Sequence, residues 1–145
     1  MKAEEMWDNY SRNSDVKNKI YEAWSFGSES DQLAELVLQG VKTATSSLYA
    51  LYEIDQEPLP KEGDYSVILD SNAEAKCIIV TTKVYVTSFD KVTENHAYKE
   101  GEGDRSLEYW RKSHREFFAD CLREVGLFFD ETMDIVCEEF EVVYM

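Results

Sequence analysis

The sequence predicts a single α+β domain in which a small β-barrel is surrounded by helices. Three segments support this prediction: a β-branched stretch over residues 75–88, a second over residues 135–144, and a helical repeat of apolar residues over 107–125. Residues 75–88 are longer than an ordinary strand, as a bent strand of a barrel would be. At 145 residues, the chain fits one domain with one core.

Helical spacing dominates the first forty residues. Apolar side chains over residues 3–26 predict one or two short amphipathic helices, broken near Ser11 to Ser14. A second helix follows, for which Ser28 or Ser30 is the expected cap and Gly40 the expected stop.

After residue 57, turn residues alternate with periodic segments. They predict, in order, a turn over 58–64, a strand over 65–69, a hairpin turn over 71–73, the long strand 75–88, a helix over 90–99, a long helix from Leu107 to Gly126 begun by Asp104 or Ser106, and a final strand over 135–144.

The charge of the chain argues against long nucleic acids as partners. The formal net charge is −15, and no run of Lys or Arg exceeds two residues, whereas phosphate backbones are bound through basic patches. We therefore expect no DNA partner, although a local pocket can still hold one nucleotide or base. The acidic N-terminus and the lack of a long apolar run predict a cytoplasmic protein with no membrane partner.

No metal or cofactor site is predicted. The three cysteines have no ligand spacing and are expected to be buried thiols; they are Cys77, Cys121 and Cys137. The acidic run Glu100, Glu102, Asp104 resembles the start of a calcium loop, but such a loop needs glycine at its sixth position and glutamate at its twelfth. This chain has Arg105 and Arg111 there.

Lys42 and Thr45 form a candidate nucleophilic pair, since an amine can take the proton of an attacking hydroxyl. In a regular strand their side chains would point to opposite faces, whereas in a helical turn they would be neighbours. Joint action therefore requires irregular backbone over residues 42–45. The alternative is a solvated lysine beside surface hydroxyls.

The histidines are weaker candidates. His114 lies on the apolar face of the long helix and is expected to be a core residue, while His96 lies on a polar stretch and is expected to be exposed or at a hinge. Ser46 and His114 fit no triad spacing.

Several motifs together are similar to those of a known family. The chain resembles the ASCH domain family through G-x-K-x-x-T over 40–45, and through the segments 24–27, 58–64, 100–107, 109–111, His114 and 117–118. The resemblance covers residues 22–145, which leaves residues 1–21 as an N-terminal helical extension.

The resemblance implies a PUA-like fold whose cleft is lined by G-x-K-x-x-T, and an activity on RNA or nucleosides. Some small members remove the acyl group from an acylated cytidine. By this resemblance Lys42, Thr45 and Glu100 would be catalytic. The expected substrate contacts are Thr43, Ser46, Glu102 and Trp110.

Three functions follow as expectations. The first is an amidohydrolase that deacylates an N4-acylcytidine-like nucleoside. The alternatives are a non-catalytic module that binds RNA or a nucleotide, and a ribonuclease that uses the same cleft.

Overall fold

The computed structural model describes residues 1–16 and 19–145. Within them the helices are α1 (Ala3–Arg12), α2 (Ser30–Leu38), α3 (Tyr49–Asp55), α4 (Glu94–Glu100) and α5 (Leu107–Glu124), with one 3₁₀ turn at Phe89–Lys91. The strands are β1 (Tyr21–Trp24), β2 (Ala44–Leu48), β3 (Tyr65–Leu69), β4 (Ala75–Ser88) and β5 (Asp134–Tyr144).

All five strands belong to one mixed sheet in the order β1-β3-β4-β5-β2. The β1–β3 pair is parallel, and the other pairs are antiparallel. Because β1 and β2 lie at opposite edges, the sheet is not closed. The α+β class is confirmed, but the expectation of a barrel is wrong.

Strand β4 is long although the sheet does not close into a barrel. This strand pairs with β3 on one side and β5 on the other, and its register with β5 shifts between Ile78 and Ile79 and again between Thr81 and Lys83. Register shifts of this kind bend a strand and increase its twist. Strand β4 is therefore a long, irregularly paired strand of an open sheet.

The second half of the chain largely follows the predicted elements. Strand β4 spans the predicted residues 75–88, and α5 begins after Ser106, whose Oγ accepts a hydrogen bond of 3.0 Å from the Tyr109 N–H.

Helix α2, in the first half, ends as predicted but does not begin as predicted. Gly40, its expected stop, lies just past the helix with φ of 76°. The predicted serine cap of α2 is wrong, because the residue before the helix is Glu29 and no side chain caps it.

The first half departs from prediction at residues 21–24. These residues form β1 instead of a helix, because their backbone pairs with β3 and Tyr21 stacks on Trp7 with ring centroids 4.8 Å apart. Helical structure in the predicted 3–26 segment is therefore α1 alone within the described residues. Lys17 and Asn18 lie outside them.

The core positions the cleft described below. One buried cluster joins β2 and β5 to α5 through Leu48, Cys137, Phe118 and Leu122. Cys77 is also buried and Cys121 is half-buried, and all three thiols are free. Among the described residues, no helix combines the length and apolar character needed to cross a bilayer.

Candidate active site

A cleft of about 310 Å³ lies where the segment after β1, the start of β2, the loop after α4 and one face of α5 meet. Its wall includes both members of the predicted pair and two predicted acids. These four residues are Lys42, Thr45, Glu100 and Glu102.

Lys42 is the central cation of this cleft, although its side chain is only 1% exposed. Its Nζ donates to Glu100 Oε1 at 3.1 Å, to Glu102 Oε2 at 3.0 Å and to the Glu100 carbonyl at 3.4 Å. These bonds use all three N–H donors of the ammonium group. The alternative of a solvated surface lysine is therefore excluded, and in this arrangement Lys42 donates three hydrogen bonds within the protein.

Backbone contacts between two loops place Lys42. The Thr43 N–H donates to the Lys99 carbonyl at 2.7 Å, which fixes the 41–43 segment against the end of α4. Gly101 makes this approach possible, since a Cβ on it would lie 2.5 Å from the Val41 carbonyl oxygen. Residues 41–43 are irregular and β2 begins at Ala44. No regular strand therefore runs across the whole 42–45 segment.

Glu100 is the most enclosed acid of the site, with its side chain 1% exposed. Its Oε2 accepts from Ser46 Oγ at 2.5 Å, from the Trp110 indole N–H at 2.5 Å and from His96 Nε2 at 3.0 Å. Its Oε1 accepts the hydrogen bond from Lys42 Nζ and lies 3.5 Å from His114 Nε2. A buried carboxylate needs this many partners to remain ionised.

The ionisation of the cluster follows from these contacts. Burial opposes charge on Glu100, but the Lys42 ammonium, followed by His114 and His96, holds the pKa of the carboxyl well below its usual range. Burial likewise opposes charge on both histidines. The neighbouring Cys137 thiol and Glu100 carboxylate nevertheless raise the pKa of His96 to about 9, and the charge of Glu100 raises the pKa of His114.

His114 has a fixed orientation in the cleft wall. Its Nδ1 lies 2.9 Å from the Trp110 carbonyl oxygen, and a carbonyl can only accept, so Nδ1 carries a proton. Its ring stacks on Trp110 with centroids 4.3 Å apart. The remaining nitrogen, Nε2, therefore faces Glu100 and the cleft.

Thr45 lies in β2, half-buried, and lines the same cleft as Lys42 and Glu100. Its hydroxyl makes no hydrogen bond within the described residues. In contrast, the neighbouring Ser46 hydroxyl is bonded to both Glu100 and His96, the latter at 2.7 Å. Thr45 thus offers the cleft an unengaged hydroxyl, as do Ser28, Tyr109 and Ser113 within the described residues.

The four residues expected to contact substrate fall into two groups. Ser46 and Glu102 line the cleft. Trp110 is 2% exposed and lies behind Glu100, and the Thr43 hydroxyl donates to the Lys99 carbonyl at 3.3 Å. The structure therefore gives Trp110 and Thr43 bonds within the protein rather than positions on the cleft wall.

The two histidines were not predicted to be site residues. The prediction that His96 is exposed is wrong, since it is 1% exposed, and His114 is buried as expected but contacts Glu100. The missed signal is spacing: His96 lies four residues before Glu100 on α4, as Trp110 lies four before His114 on α5. Residues four apart share a helix face.

Glu100, Glu102 and His114 also have ligand atoms within 4.8 Å of one another, which is a geometry that metals use. Lys42 Nζ, however, already bridges the two carboxylates. We therefore assign this cluster to an internal ion pair.

The fold and the cleft define a small α+β protein with a buried Lys–Glu centre. The ASCH domain family model matches residues 22–144, and the chain belongs to that family. No curated protein sequence matches it.

Solved structures agree with this assignment. An ASCH domain from Lactobacillus crispatus JV V101 is 34% identical with a TM-score of 0.91, and the match covers 98% of this chain and 94% of that one. Protein EF3133 from Enterococcus faecalis V583, of family DUF984, is 36% identical with a TM-score of 0.90, covering 97% and 87%. The hypothetical protein PH0355 shares the fold at 20% identity and a TM-score of 0.57, covering 86% and 100%.

Proposed function

We propose that this cleft hydrolyses an amide bond of a small nucleoside-like substrate, with Thr45 as nucleophile. The observation that supports the proposal most is the buried Lys42 ammonium, held between Glu100 and Glu102 in the cleft that Thr45 lines. A proton carrier and an unengaged hydroxyl in the wall of one cleft are the minimum that nucleophilic amide hydrolysis needs.

The proposed reaction begins when Lys42 passes one proton to Glu102. Its neutral amine then takes the proton of Thr45 Oγ1 as that oxygen bonds to the carbonyl carbon, and returns it to the nitrogen as the C–N bond breaks. Lys42 next takes a proton from water as the water oxygen bonds to the acyl carbon, and passes it to Thr45 Oγ1 as the ester bond breaks, which releases the acid and restores the hydroxyl. Glu102 then returns its proton to Lys42. Glu100 keeps Lys42 in place throughout.

The charge of the cleft favours a substrate without phosphate. Five carboxylates and one lysine line it, namely Glu29, Glu100, Glu102, Glu116, Asp120 and Lys42. A phosphate group would meet net repulsion there. This supports a neutral nucleoside as the ligand and argues against RNA.

A screen of the purified protein against N4-acetylcytidine and other acylated nucleosides tests the proposal. We expect release of the acyl group by the wild type and loss of at least about 100-fold in rate with Lys42→Met. Lys76→Met is the matched control, because Lys76 is an exposed lysine 3.4 Å from Asp70 and lies outside the cleft. No acyl release from any substrate would contradict hydrolysis.

A binding module is the second candidate, since all three donors of Lys42 are already engaged in the protein. It would hold cytidine without releasing an acyl group. If the ligand were instead RNA, affinity would fall steeply with salt. Incubation with labelled RNA, with and without EDTA, tests the ribonuclease alternative.

A further inference from the structure

A second and larger cleft, of about 690 Å³, adjoins the first. The two share Phe26, Gly27, Thr45, Ser46 and Phe117 in their walls. The second cleft lies on the other side of this boundary, between β1, β2, α3 and the 57–66 segment.

Its walls combine flat side chains with acids, of which Glu138 lies on the sheet itself at β5. Glu138 lines the cleft from β5 and is half-buried, and its carboxylate accepts no hydrogen bond within the described residues. It pairs with Thr45 across the β2–β5 ladder, so both side chains lie on one face of the sheet. Aromatic and proline side chains form much of the remaining wall: Tyr52, Tyr65, Phe117, Pro58 and Pro60.

The electrostatics of this cleft favour a cation. Asp64 and Glu22 also line it and, after burial itself, raise the pKa of Glu138 to about 7. Lys61 is the one lysine or arginine in the wall; it is 83% exposed and lies 3.9 Å from Asp64. Glu138 therefore lacks a cationic partner among the described residues, and a ligand cation would relieve its repulsion with its acidic neighbours.

We propose that the second cleft binds a flat aromatic ligand with a cationic nitrogen group, such as an amidinium, whose N–H donors meet the Glu138 carboxylate. A planar ring matches the aromatic and proline walls. Two parallel N–H donors match a carboxylate in bidentate geometry. This site is independent of the proposed hydrolysis, because binding needs no step at Lys42 or Thr45.

Calorimetric titration of the full chain at pH 8 and low salt, with benzamidine as probe, tests the proposal. Benzamide is the matched neutral ligand, since it has the same ring and a similar shape. We expect benzamidine to bind at least about tenfold more tightly than benzamide, the effect of one charge-assisted contact. Equal affinities, or no binding of either ligand, would overturn the proposal without any variant.

Two variants locate the site. Glu138→Gln is nearly isosteric and removes repulsion, so it should fold, and it should weaken benzamidine binding by about tenfold. Glu141→Gln makes the same change at an exposed position of β5 outside both clefts and should leave the affinity unchanged. If both variants weaken binding equally, net charge is the cause and the Glu138 site is rejected.

Discussion

Lys42 Nζ lies 3.1 Å from Glu100 Oε1, and both side chains are 1% exposed. A buried ion pair is costly to form, but removing one partner leaves the other as an uncompensated buried charge. Glu100→Gln should therefore lower the free energy of unfolding by about 3 kcal/mol. Urea denaturation followed by circular dichroism measures this change.

The control for this variant is an exposed pair. Glu131 is 48% exposed and its Oε1 lies 2.7 Å from Arg115 Nε. Exposed pairs contribute about 0–1 kcal/mol, so Glu131→Gln should change little. If Glu100→Gln were as stable as Glu131→Gln, the Lys42–Glu100 pair would not hold the site together.

Gly101 should tolerate no side chain, because its φ is 74° and a Cβ would lie 2.5 Å from the Val41 carbonyl oxygen. Gly101→Ala is expected to destabilise the protein by about 3 kcal/mol or more, through strain and displacement of the 41–43 segment. Gly126 has φ of 77° with nothing within 4 Å of a Cβ. Gly126→Ala should cost only the backbone term of about 1 kcal/mol. Equal thermal shifts for the two variants would contradict the predicted close approach.

Glu138 should make the folded state less stable as pH rises. The ordinary pKa of the carboxyl is 4.5, and the folded protein raises it to about 7. Between these values the folded state holds a proton that the unfolded state has lost, so stability falls as pH increases through this window. The full effect is about 3 kcal/mol.

Glu138→Gln should remove this dependence. Its advantage in stability over the wild type should grow between pH 4.5 and pH 7 and then level off, as measured by urea denaturation at each pH. Glu141→Gln should follow the wild type throughout. If the stability difference between Glu138→Gln and the wild type did not vary with pH, the pKa of Glu138 would be the same in the folded and unfolded states, and the prediction would be wrong.

The sequence predicted those helices and strands whose own residue pattern favours the structure that they adopt in the fold. Residues 75–88 are rich in β-branched side chains, and α5 has a regular apolar face, so each sequence indicates its own structure. The four residues of β1 are specified by pairing with β3, about forty residues later. The 44–48 stretch, with three hydroxyl residues, is held as a strand by β5. Such non-local pairing overrides weak local preference.

The site was predictable in part for the same reason. G-x-K-x-x-T and Glu100 could be carried over from the family resemblance, and Lys42, Thr45 and Glu100 line one cleft. His96 was not predicted as a site residue, and Trp110 was expected to contact the substrate. The roles of both residues depend on where α4 packs against α5. Only that packing brings both N–H donors to one oxygen of Glu100.

The rate of N4-acetylcytidine hydrolysis by Thr45→Val tests the proposed mechanism most directly. Valine keeps the shape of threonine and removes the attacking hydroxyl, so we expect a loss of about 1000-fold or more, while Thr87→Val on β4 retains activity. Ser46→Ala should slow the reaction less, because Ser46 positions Glu100. An unchanged rate in Thr45→Val, with activity abolished in Ser46→Ala, would contradict the assignment and identify Ser46 as the nucleophile.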